Sequence, residues 1–166
     1  MKLDLTRLGE MHPFLAKSTV SEYAYRSAIG LGRHGHKSGV QLSLSAKDRS
    51  GTSTLHWVAV PIEAATQIDF HRITEDTAEA VALAFAHVAH GWVVCRRLQR
   101  LEFADWLLVD QDNNLVSLEV SGVDTIDKSG RRMREKLDQV GKCKTPGKKA
   151  ACVVELQPPR SRMTLI

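Results

Sequence analysis

The sequence predicts one α/β domain built on a mixed central sheet. Three observations carry that prediction. Apolar and polar residues alternate at Val40–Ser45, the pattern of a half-buried strand. Two β-rich runs flank the cluster Asp110-Gln111-Asp112-Asn113-Asn114, which is the pattern of a hairpin. Helical stretches at 74–90 and 130–140 bracket that hairpin, so strands and helices interleave along the chain.

The chain has 166 residues, 43% of them hydrophobic, enough for one packed core and too apolar for a disordered chain. No apolar run is long enough to span a bilayer, and MKLDLTRLGEMHPF lacks a secretory core, so a cytoplasmic protein is expected. Cys95, Cys143 and Cys152 are odd in number and show no CxxC spacing; reduced thiols are expected rather than a disulfide or a zinc site. Charge is uneven. Residues 1–127 hold 12 Lys/Arg against 16 Asp/Glu, and residues 128–166 hold 11 against 3. A basic C-terminal third suits a phosphate backbone, with Arg131, Arg132, Lys142, Lys144, Lys148 and Lys149 as the expected contacts; a solvated basic surface is the alternative.

Residues 1–14 show no clear period. Ser18–Ile29 reads as a modest helix with Ser18 at its N-cap. Gly30-Leu31-Gly32-Arg33-His34-Gly35 matches GxGxxG literally, but a helix precedes it and a strand follows, the reverse of a nucleotide-binding loop. His34 and His36 share a strand face if the strand begins early, but they lack a third ligand, and a small-ligand sensor around them has little support. Val40–Ser45, the polar loop Lys47–Ser53 and Leu55–Val60 read as an antiparallel hairpin ended by Pro61. Thr74 is the expected N-cap of a buried helix that stops at Gly91. On it, Glu79 shares a stripe with Ala82, Leu83, Ala86 and His90: either a site carboxylate or a first-turn glutamate reaching solvent or the helix terminus. Trp92–Leu98 is a strand. Asp127 or Ser129 caps the next helix, which stops at Gly141, and Ala150–Leu156 is a last strand ended by Pro158-Pro159.

In the hairpin, Asp105, Leu107 and Val109 share one face, and Leu115, Ser117, Glu119 and Ser121 share a face on the return strand. If Val109 pairs with Leu115, Asp105 lies opposite Glu119. Directly opposed like charges are unfavourable, and a divalent cation would offset them. A strand-end Asp105 and an exposed Glu119 are the plain alternatives.

From Thr74 the order is helix, three strands, helix, strand. With Glu79 on the first helix, Asp105 at the second strand and Glu119-Val120-Ser121 on the third, residues 74–157 resemble the PD-(D/E)XK, or restriction-endonuclease-like, nucleases. Residues 1–73 then form an N-terminal helix and hairpin extension of the same domain. LEVSG followed by a basic helix is also similar to segments of uncharacterised bacterial proteins. The resemblance implies Mg²⁺ or Mn²⁺ held by Asp105, Glu119 and Glu79, with catalysis by Asp105, Glu119 and a lysine. The family's lysine position holds Ser121. In some family branches an equivalent lysine sits on the following helix, where Lys136 stands beside Gln139. The implied activity is metal-dependent phosphodiester hydrolysis of nucleic acid. The alternative is an inactive nuclease-fold subunit that binds nucleic acid or protein, a second copy of itself included.

Overall fold

The computed structural model describes residues 2–46, 49–61, 68–125 and 129–166. In order, the elements are β1 (Lys2–Asp4), α1 (Leu8–Met11), α2 (Lys17–Arg33), β2 (Val40–Ala46), β3 (Arg49–His56), α3 (Phe70–His90), β4 (Val93–Arg97), β5 (Trp106–Val109), β6 (Leu115–Thr125), α4 (Ser129–Gly141), β7 (Lys148–Gln157) and β8 (Pro159–Leu165). The strands form one mixed sheet in the order β1-β3-β2-β8-β7-β6-β5-β4. Pairing is parallel at β6–β7, β2–β8 and β1–β3 and antiparallel elsewhere. No helix among the described residues is long and apolar enough to cross a membrane.

Helix α3 packs on one face of the sheet, with α2 alongside it. Its alanines at 78, 80, 82, 84 and 86 are all fully buried, in one cluster with Val116, Leu118, Val120, Cys152 and Val154 of the sheet. Alanine suits both needs: it favours the helix and it is thin enough for close approach. Approach is closest at Gly122, where an added Cβ would lie 2.6 Å from the Thr74 carbonyl oxygen. The helix ends as expected at Gly91, in the left-handed conformation (φ 69°). Helix α4 covers the opposite face, where Met133 packs on Val123, Ala151 and Val153, and Val140 on Leu107.

Four expectations are corrected. Helix α3 starts at Phe70: Asp69 Oδ1 accepts from the His71 N–H at 3.0 Å, while the Thr74 hydroxyl donates back to the Phe70 carbonyl at 3.0 Å. A threonine bonded to the carbonyl four residues back sits comfortably inside a helix, so Thr74 is not the cap. The division at 73/74 therefore falls within α3. Residues 50–53 are strand rather than loop. Ser50, Thr52 and Ser53 face Ser45, Ser43 and Leu42 across the ladder, and β3 ends at His56, not Val60. Ala150–Leu156 lies in β7, which does end at Gln157 before the two prolines, but it is not the last strand. The chain reverses there and returns as β8, with Pro159 as first residue of the strand, where a missing N–H is tolerated. His34 is the C-cap of α2 and His36 follows it, so neither lies on a strand. Asp127 and Lys47 lie outside the described residues.

Candidate active site

The hairpin register is the one expected, Val109↔Leu115 through Trp106↔Leu118. Beyond Leu118, β5 stops while β6 runs on to Thr125, so the outward N–H groups of β6 need other acceptors. Two carboxylates supply them. Asp105 Oδ2 accepts from the Val120 N–H at 2.8 Å, and Glu75 Oε2 accepts from the Gly122 N–H at 3.2 Å. The Asp105 N–H itself bonds the Leu118 carbonyl at 3.0 Å, which anchors the carboxylate beside the next residue, Glu119.

Glu119 points to the α4 face and is 1% exposed. Its Oε1 accepts from Lys136 Nζ at 2.5 Å, and Lys136 also donates to Gln139 Oε1 at 3.3 Å. Lys136 reaches inward because it lies one turn from Met133 and Val140, the buried residues of α4. Glu119 Oε2 is buried with no hydrogen-bond partner among the described residues. Burial, and then the neighbouring Asp105 carboxylate, push Glu119 up to about 7 despite Lys136. Burial raises Asp105 as well, against the Val120 N–H, and raises Glu75 against the Gly122 N–H. All three carboxylates are therefore penalised in their charged form, which is the condition a cation would relieve.

Glu79 is not part of this group. Its Oε2 accepts from Tyr23, from Arg97 Nη1 at 2.9 Å and from Trp106 Nε1 at 2.9 Å, and its Oε1 from Arg97 Nη2 at 2.9 Å. Arg97 also stacks on the Trp106 ring, 4.9 Å from its centroid. Three donors on Oε2 and one on Oε1 tie the Glu79 carboxylate to Tyr23, Arg97 and Trp106, away from Glu119. The acid of α3 that reaches the β6 edge is Glu75, one turn earlier. Reading Thr74 as the cap assigned Glu75 to the helix terminus; its spacing of four from Glu79 was the signal that both lie on one stripe.

The expected phosphate contacts divide. Arg131 and Arg132 both pair with Glu135 on the surface of α4, at 2.8 and 3.2 Å. Lys142 and Lys144 are exposed. Lys148 pairs with Asp110 at 2.7 Å, and Lys149 donates to the carbonyls of Cys143 and Thr145, tying down the loop before β7. These two serve the fold. His34 bridges Asp124 and Gln157 at 3.1 and 3.0 Å, and His36 meets the Leu156 carbonyl at 2.7 Å. All three cysteines are free thiols, and burial pushes Cys152 up to about 12.

Among the described residues, no three acidic, histidine or cysteine side chains gather into a set able to hold one ion. Asp105 and Glu119, with the orphaned Oε2, remain a donor pair suited to a hard cation that keeps most of its water. A scan against protein-family models, a search of curated proteins and a search of solved structures each return no match to this chain.

Proposed function

We propose that this chain is a divergent nuclease of the PD-(D/E)XK type, hydrolysing phosphodiester bonds of nucleic acid with Mg²⁺ or Mn²⁺. The observation that carries the reading is the Lys136–Glu119 contact. A lysine from the helix after the third strand stands against the third-strand acid, while Ser121 occupies the usual lysine position, buried two residues along. The order helix, three strands, helix and parallel returning strand supports it as well.

In this reading Asp105 and Glu119 would hold the ion, which would supply positive charge at the phosphate and a more acidic water. Glu119 gives up its proton to bind, and Lys136 turns from Glu119 to the phosphate oxygens, where it offsets negative charge developing in the transition state. The experiment is cleavage of duplex DNA, single-stranded DNA and RNA with either metal. Wild type should cut slowly, Asp105→Ala and Glu119→Ala should not cut, and Lys136→Ala should lose rate while keeping metal affinity. Silence from both wild type and Ser121→Lys on every substrate would remove the enzyme reading.

A second reading has its own observation. Glu119 is almost wholly buried and already held by Lys136, and Asp105 already serves a strand N–H. Those contacts equally suit a nuclease-like fold kept only for binding, and that is the reading a silent enzyme would leave standing.

A further inference from the structure

Helix α4 covers only part of its face of the sheet. It packs over β5, β6 and β7, and among the described residues no helix packs on the same face of β2, β3 and β8. Strand alternation places Ser43 and Ser45 of β2, Thr52 of β3, and Arg160 and Arg162 of β8 on that face. In the ladder Ser43 lies beside Thr52 on one side and Arg160 on the other, and Ser45 lies beside Arg162. Both arginines are exposed and make no ion pair among the described residues.

Glu155 of β7 stands directly opposite Arg160. It is only 8% exposed, and its Oε2 is buried with no hydrogen-bond partner among the described residues. Together these side chains line a cleft of about 610 Å³, the size that holds a small organic ligand. Ser129, the first residue of α4, stands at the rim and brings the positive end of that helix to it. The chemistry is mixed in a specific way: guanidinium forks and hydroxyls suited to phosphate oxygens, and one buried carboxylate oxygen that needs a donor from outside.

We propose that this cleft binds a nucleotide unit, its phosphate on Arg160 and Arg162 and an N–H or O–H of its base or sugar on Glu155. The proposal takes its ligand class from the nucleic-acid reading above and does not depend on cleavage. A free nucleotide and one nucleotide of a strand present the same groups. Arg162 is two strands from Ser121 by register, roughly 10 Å across the sheet, with Val153 between them under Met133 of α4.

The test is fluorescence anisotropy with a labelled, mixed-sequence single strand of about 12 nucleotides. EDTA is present, so neither metal nor cleavage plays a part. The double variant R160A/R162A should bind about 10-fold more weakly, with its log Kd–log salt slope reduced by about 0.7, the value for the one phosphate the two arginines share. R160K/R162K should keep the slope and lose part of the affinity, because lysine keeps the charge but not the fork. The single variants R160A and R162A, each expected to lose about half the slope change, answer the question if the double variant unfolds. Adenosine monophosphate displacing the probe identifies a free nucleotide as the ligand; displacement by unlabelled oligonucleotide alone identifies a strand. Wild type binding neither probe nor monophosphate, or an arginine-to-alanine variant matching wild type in affinity and slope, overturns the proposal. If R160A/R162A loses binding and wild type never cleaves, the cleft stands and the nuclease reading falls. If wild type cleaves and R160A/R162A binds normally, the reverse holds.

Discussion

Glu119 gives the site its most direct solution signature. Its carboxyl is raised from 4.5 to about 7, so the folded chain keeps a proton that the unfolded chain releases. The stabilisation is complete below about pH 4.5 and is lost as pH rises through about 7, by on the order of 3 kcal/mol. Glu119→Gln should flatten that part of the stability–pH profile, followed by thermal melting. In the proposed reading Mg²⁺ displaces that proton, so it should raise the wild-type midpoint more at about pH 8 than at about pH 5.5. No Mg²⁺ effect at either pH would remove the metal from the site. Glu79 behaves differently, because it holds Tyr23, Arg97 and Trp106. Glu79→Ala should cost about 2–3 kcal/mol, since Arg97 is partly exposed, and should leave Mg²⁺ affinity of the folded protein unchanged. Weaker Mg²⁺ binding at constant stability would restore Glu79 as a ligand. The Asp105–Glu119 pairing was legible in the sequence because period-2 alternation and a five-residue loop determine it. The tying down of Glu79 was not, because its donors come from residues 23, 97 and 106, which no local pattern brings together.

Elements with strong ends were read well, and those with polar interiors were not. Gly91 and Gly141 marked their helix ends, and the hairpin turn set the β5–β6 register. Thr74 misled because threonine satisfies a backbone carbonyl inside a helix as readily as it accepts N–H groups at a cap. The structure assigns the cap to Asp69, so Asp69→Ala should cost about 1 kcal/mol by urea denaturation. Thr74→Ala tests the other assignment: a comparable loss there with none at Asp69 would return the helix start to Thr74. The first half of β3 reads as loop in the sequence because Ser50, Thr52 and Ser53 are loop-like residues; their strand character comes from the β2 partner. The approach of α3 to β6 makes a sharper test. Gly122→Ala would drive a Cβ into the Thr74 carbonyl and should cost about 1–3 kcal/mol; an unchanged denaturation midpoint would mean that the two elements stand farther apart.

For the whole molecule, the sequence disclosed a mixed sheet and the order of its second half, but not how the first half joins it. The join is β8, paired to β7 on one side and to β2 on the other. Its pairing to β2 is non-local, and Pro158 before it and Pro159 at its start hide it from any reading by local pattern. This has a consequence for biosynthesis. The hairpin of β2 and β3 is made early, yet the strand that seats it in the sheet is the last of the eight to leave the ribosome. Until then Val40–Ala46 offers an unpaired edge to any chaperone or neighbouring nascent chain. Ribosome-bound chains halted before Pro159 should therefore be cut by protease near the hairpin, and chains released beyond Leu165 should resist. Equal resistance in both would mean that the N-terminal half folds without waiting for its clasp.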